Sequence, residues 1–409
     1  MRIELSRWRN AARGAAVAVA GLIALGASGA AAQGGAVFVS PTGSDANSGL
    51  TPDQPFQTLE HARDAARGSP AKTVYLEGGV YLRTAPLMLT GADAGESWLG
   101  FHGQTPVLDG GGTVKRGIDF AAPHITLRWL TLRRYAESGV FAENAPDAVI
   151  DSNVVRDTRS TGWNQGGIVS IGNFMNGRIT HNLVQNSRYA GIMAATTPQD
   201  SITGLTIQDN AVYDTCTAVA DCGGLYADDR GHASTDIRID HNIVGRYGSA
   251  RLISKAIYLD DLLSNAAVTN NIVYGNGQYA IQVHGGDHNR VENNIFDVRQ
   301  ATGAVLYQRR SPMLSMEANV FRCNIIYSAH ARPRDLWEIV SNGTPATEDK
   351  DIYWVGAGRH AKSGDRRPGA RGDFVGPDSH NYALRSALAA NYCGFKPISP
   401  DGIGPLPNP

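Results

Sequence analysis

Two segments end an apolar run in the same way: GGLYADDRGH at 223–232 and KAIYLDDLLS at 255–264. In a chain with only 18% charged residues, adjacent acids closing a buried-type strand twice, about one repeat apart, call for a chemical reason. Side chains alternate across a strand. With Leu225, Ala227, Ile257 and Leu259 facing a core, Tyr226, Asp228, Tyr258 and Asp260 face outward. The segment IQVHG then sends out Gln282 and His284, and VLYQR sends out Leu306 and Gln308 ahead of Arg309. The expected outer face is acidic and aromatic over two coils, with His284 beside it.

Stacking places Asp228 and Asp260 ~5 Å apart, near the ~5–5.5 Å carboxyl separation of retaining glycosidases. Like charges at that range raise one pKa, leaving one carboxyl protonated as an acid and its neighbour ionised as a nucleophile. Asp229 and Asp261, at the strand ends, offer a wider pair and an inverting outcome. Tyr226 and Tyr258 present flat faces to sugar rings beside Gln282, and Arg230, Arg309 and Arg310 can hold an acidic substituent. This leading reading requires no cofactor. Clustered carboxylates also suit Ca²⁺, and the reaction would then be β-elimination from a uronate polymer, with Lys255, His284 or Arg309 as the base. A reading from another class is a glycan-binding surface without turnover. Mutual repulsion between carboxylates gives such a passive platform little.

The elements that must position these residues are repeats. Seven segments share an apolar-x-x-Asn-apolar-apolar pattern, from IDSNVV to FRCNII, anchored at Asn153, Asn182, Asn210, Asn242, Asn271, Asn294 and Asn324. Their steps are 29, 28, 32, 29, 23 and 30 residues. A short β-rich unit at such a period marks a solenoid. After each Asn strand comes a polar turn and a second short apolar strand, with no helical period between, which describes one coil of a parallel β-helix. The recurring Asn then forms a ladder of stacked amides. His181 and His241, each just before a ladder Asn, are turn residues. The 32-residue step also admits a bulge before Asp228 that would exchange it with Asp229.

One helix is expected within 54–68, N-capped by Thr58, with Leu59, Ala62 and Ala66 on one face and Gly68 as its stop. It is placed to cap the first coil. The predicted organisation is one all-β domain over 33–409: a cap region at 33–100, regular coils at about 101–330 and an irregular capping tail at 331–409. The basic run at 358–373 reads as a solvated loop.

Arg2, Arg7, Arg9 and Arg13 precede an apolar run from Ala15 to Leu25, and small residues at Ala30 and Ala32 follow. This order predicts a signal peptide over 1–32 and a secreted or periplasmic protein, with no membrane partner after cleavage. Without it, 33 basic residues stand against 37 acidic ones, which argues against a nucleic-acid partner. The four cysteines can pair in an oxidising compartment. A Cys216–Cys222 bridge would stiffen the loop before the first Asp-Asp strand, and Cys323 and Cys393 are left over.

The opening VFVSPTGSDANSGLTPDQPFQTLEHARDAAR, the strand TVYLEGGVYL, the turn PVLDGG and the ending FVGPDSHNYALRSALAANYCGFKPISPDGIG resemble the exported bacterial right-handed parallel β-helix proteins. That family is dominated by glycoside hydrolases and polysaccharide lyases. The resemblance implies the solenoid fold and a poly- or oligosaccharide substrate, and it covers nearly all of the chain after residue 32. The Asp-Pro-His motif of the family's alginate epimerases has no counterpart here.

Overall fold

Each repeat contributes three short strands, and like strands of successive coils pair in parallel. Among the described residues the result is three long sheets of 12, 10 and 11 strands wound about one core. The computed structural model describes residues 35–249, 251–309, 316–328, 336–340, 344, 346–355 and 373–409. The expected signal peptide, Arg310 and nearly all of the basic run lie outside the described residues.

Inward-facing residues of the three sheets meet in a single core, with Ile192, Leu225, Ile257 and Ile281 stacked in successive coils and each fully buried. The Asn ladder is the hinge between the 12- and 11-stranded sheets. All seven asparagines are fully buried. The Asn210 amide donates to the carbonyls of Ile179 (2.8 Å) and Gln208 (3.0 Å) and to Asn242 Oδ1 (3.0 Å), while its Oδ1 accepts from the backbone and side chain of Asn182 (2.9 and 3.0 Å). Each preceding residue, among them Ser152, His181, Asp209, His241 and Cys323, has φ between 52° and 57°. A left-handed non-glycine residue costs roughly 1–2 kcal/mol, and the satisfied amides offset that cost at every rung.

The regular coils are longer than the 101–330 expected. Parallel pairing begins with Val37–Val39 against Thr73–Leu76 and extends to Ile352–Val355. The early coils turn without an Asn, and the last rung is an aspartate: Asp351 Oδ1 accepts from the backbone and amide nitrogens of Asn324. An Asn count therefore misses both ends.

The helix Leu59–Arg67 forms as expected, with the Thr58 hydroxyl accepting from His61 N (3.2 Å) and Leu59, Ala62 and Ala66 buried against Val37 and Val39. The C-terminal tail differs from expectation. It lies along the side of the solenoid as a strap, because the outer face of the 11-stranded sheet carries Ile243, Ile272, Tyr274, Ile325 and Trp354, which must be covered. Phe374, Tyr382, Phe395 and Ile403 cover them. The Cys323–Cys393 disulfide fastens the strap, His241 Nε2 lies 2.7 Å from the Ser399 carbonyl, and the Asn408 amide donates to Phe101 O (2.9 Å) near the other end.

Candidate active site

The outer face of the 10-stranded sheet carries the residues predicted to do chemistry. Cys222–Asp228 and Ser254–Asp260 pair in unbroken register, Tyr226 on Tyr258 and Asp228 on Asp260, so no bulge exchanges Asp228 with Asp229. Gln282 and then Leu306 continue the tyrosine file. The next coil brings His284 Nδ1 to 2.5 Å from Asp260 Oδ1.

The Tyr226 hydroxyl lies 2.8 Å from Asp260 Oδ2 and 3.2 Å from Asp228 Oδ2, so a single hydroxyl bridges the two carboxyls. Asp228 is fully buried. Its Oδ1 accepts from the N–H (2.6 Å) and hydroxyl (2.8 Å) of Thr196, and Oδ2 lies 3.2 Å from Arg230 Nη2. Burial pushes its carboxyl up to about 6, against the pull of Arg230 and Thr196. Asp260 is driven the other way. Burial raises it too, but His284, through its hydrogen bond and charge, and the donors Tyr226 and Asp261 N–H outweigh burial and hold it below the ordinary carboxylate value. Two adjacent carboxyls pushed apart in pKa divide acid and base roles between them.

The expectation that this face is open is corrected. Tyr226 and Tyr258 are only 4% and 2% exposed, because Tyr189, Met193 and the bridged Cys216 and Cys222 pack with them in one outer cluster. Neither ring offers a face to a sugar; they pack edge to face on each other at 5.2 Å and contribute their hydroxyls. Solvent reaches Arg230, His284 and Asp261 along the rim, and a 9% sliver of the Asp260 side chain.

Other expected roles change as well. The Asp229 carboxylate is fully buried and accepts from Ser234 N (2.8 Å), which closes it off from a substrate and removes the wider Asp229–Asp261 pair; the Asp229 N–H donates to the Asp261 carbonyl (3.3 Å). Asp261 instead binds Arg230 Nε (3.0 Å). Lys255 is 1% exposed and ion-paired to Asp221 (2.8 Å), so it is closed off as a base; burial lowers its pKa against the pull of Asp221. Gln282 is buried and donates to Gln308 (3.1 Å). Arg309 continues the Gly303–Gln308 strand two coils beyond Asp260, its N–H donated to Val340 (3.3 Å).

A right-handed β-helix region model matches residues 117–296 and 248–331, more than half of the chain. The chain belongs to the right-handed β-helix family. No curated protein sequence matches it. Among solved structures, this β-helix protein is similar to XylC in complex with xylose, with 12% identity, TM-score 0.52, and 83% of this chain and 86% of that one covered. It is also similar to the PL6 family alginate lyase AlyGC, with 11% identity, TM-score 0.51, and 90% of this chain against 58% of that one. These likenesses are of fold.

Three residues of this β-helix site are invisible to strand alternation. Thr196 follows the strand Ala190–Ala195, Tyr189 precedes it, and Asp221 comes from the bridged loop. The one available signal was that loop, bounded by Cys216 and Cys222, entering the first Asp-Asp strand. A surface cleft of about 450 Å³ on the 12-stranded sheet, lined by Asp236, Arg238, Asp240, His288 and Arg290 among others, contains none of the predicted site residues. It brings no two carboxyls to one hydroxyl, as Tyr226 does for Asp228 and Asp260.

Proposed function

We propose that the protein is an exported carbohydrate-active enzyme that hydrolyses glycosidic bonds of a poly- or oligosaccharide through Asp228 and Asp260. The observation that carries this reading is the shared Tyr226 hydroxyl between two carboxyls in register whose pKa values move in opposite directions. Asp260, ionised and at the rim, attacks the anomeric carbon. Asp228 is the proton store. Its proton moves to the Tyr226 hydroxyl as that hydroxyl's own proton passes, through a water at the rim, to the departing glycosidic oxygen. Water then displaces the sugar from Asp260 and returns the proton by the same route. The two hydrogen bonds through Tyr226, 2.8 and 3.2 Å, keep the facing oxygens closer than the ~6.5–9.5 Å of inverting pairs. That separation supports a retaining outcome. Arg230 and His284 line the approach and orient the sugar hydroxyls or an acidic substituent.

A metal-assisted lyase draws on one observation: ligand atoms of Asp260, Asp261 and His284 lie within 4.8 Å of one another. Ca²⁺ takes six to eight oxygen ligands, whereas this set supplies two carboxylates and an imidazole. Asp260 Oδ1 is already taken by His284 and by Asp261 N–H (2.8 Å). The residues do not fit Ca²⁺, and no step is drawn through it.

Asn substitution at either aspartate tests the hydrolase reading. Each variant should keep the fold by circular dichroism and lose turnover on the wild type's substrate. A folded, active double variant would remove the assignment.

A further inference from the structure

Asp221 belongs to no strand and to no sequence pattern, yet the structure puts considerable effort into placing it. It has φ of 54°, in the left-handed region, and sits directly before Cys222 in the loop closed by the Cys216–Cys222 disulfide. Both sulfurs are fully buried in the outer cluster with Tyr189, Tyr226 and Tyr258. The Tyr189 hydroxyl donates to the Asp221 carbonyl (2.8 Å).

Its carboxylate is 53% exposed and meets a lysine that is 1% exposed. The Lys255 ammonium lies 2.8 Å from Asp221 Oδ1 and 3.8 Å from the centre of the Tyr258 ring. A buried ammonium requires a partner, since alone it would be an uncompensated buried charge. The same Oδ1 accepts from the Tyr258 hydroxyl (3.3 Å), which lies 3.4 Å from His284 Nδ1. A chain of contacts therefore runs from Lys255 through Asp221 and Tyr258 to His284 and Asp260.

We propose that Asp221 is a positioning residue of this site: the disulfide seats its carboxylate on Lys255, and Asp221 in turn orients the Tyr258 hydroxyl and His284 against Asp260. The effect on turnover rests on the hydrolase reading; the seating of Asp221 does not. Beyond its packing with Tyr226 and Tyr258, the bridge thus reaches His284 and Asp260 through this carboxylate.

The test uses the full mature chain and two readouts. The first is an NMR titration of the Lys255 side-chain nitrogen, which needs no substrate. Asp221→Asn should lower the Lys255 midpoint by about one unit or more, since burial is then opposed only by the weaker pull of the Asp260 charge. Cys216→Ser/Cys222→Ser should lower it similarly, with Cys323–Cys393 left intact. A bridge-free variant titrating like the wild type overturns the seating claim.

The second readout is steady-state kinetics. Asp221→Asn should lower kcat by roughly 100-fold, the scale of a slightly misplaced reacting group, with KM changed less than about threefold. The bridge-free variant should match it, and the triple variant should be no worse, as residues acting in series require. Multiplied losses in the triple variant would overturn the series. So would full activity in Asp221→Asn/Lys255→Met, because Asp221 would then only neutralise a buried charge. A wild type with no hydrolytic turnover defeats the hydrolase reading and with it the effect on turnover, while the Lys255 titration still decides the seating.

Discussion

Asp228 should cost the protein stability at neutral pH, and Asp228→Asn isolates that cost. The side chain is fully buried, and burial moves its carboxyl from 3.8 to about 6. That shift of roughly two units corresponds to ~3 kcal/mol at about 1.4 kcal/mol per unit. The sign follows from linkage. Between pH 4 and 6 the folded chain holds a proton at Asp228 that the unfolded chain has released, so this contribution is intact below about 3.8 and disappears as pH rises through 6. Asp260, whose pKa is lowered, acts in the opposite sense, so the raw stability curve mixes both. The difference between wild type and Asp228→Asn removes what they share. Asn keeps the shape and accepts from Thr196, though its amide faces Arg230 less well. That mismatch shifts the whole difference curve without changing its slope. Urea unfolding at pH 4, 5, 6, 7 and 8 should show the wild type losing about 2.4 kcal/mol relative to the variant, the rest of the ~3 kcal/mol being already lost at pH 4, and nearly all of the change falling below pH 7. Parallel stability curves would refute the claim that a buried carboxyl at this position stores a proton.

Four further outcomes follow from the same geometry. Activity should fall as pH rises through about 6, where Asp228 gives up its proton, and on the acid side only below the ordinary carboxylate range, where Asp260 takes one; a pH–rate profile of kcat/KM, which reports the free enzyme, reads both limbs. Tyr226→Phe removes the hydroxyl between the carboxyls and should lower kcat by about 100-fold or more, with the fold unchanged by circular dichroism. Asn242→Ala leaves the backbone and amide nitrogens of Asn210 without their acceptor and should cost about 4 kcal/mol in urea unfolding. Cys323→Ser/Cys393→Ser opens a loop of 70 residues and should cost ~4 kcal/mol, measured the same way, while kcat at 25 °C stays at the wild-type value.

The ladder asparagines and the outward files were legible in the sequence because both depend on local period: Asn153 to Asn324 repeat at coil spacing, and Tyr226 and Asp228 alternate with Leu225 and Ala227 in a strand. Register could be read as well, since the two Tyr-x-Asp-Asp segments align themselves. Exposure could not. Facing away from the core is a property of one strand, whereas the burial of Tyr226 and Asp228 depends on Thr196, Arg230 and the bridged loop, which other parts of the chain supply. Asp221 was hidden for the same reason, as a loop residue whose role depends on contacts with Lys255 and Tyr258 some 34 and 37 residues away. The final rung escaped because Asp351 replaces Asn at the end of the ladder, where burial raises its carboxyl to about 8. The strap was missed because its contacts, such as Asn408 with Phe101, span most of the chain and follow no period.

The central claim is that Asp228 and Asp260 hydrolyse a glycosidic bond. Its most direct test is mass spectrometry of products formed in heavy-oxygen water from neutral and uronate-containing polysaccharides. The account predicts one labelled oxygen at each new reducing end, and none formed by Asp260→Asn. Unlabelled products ending in an unsaturated uronate would contradict it, since they would show elimination at a site read as hydrolytic.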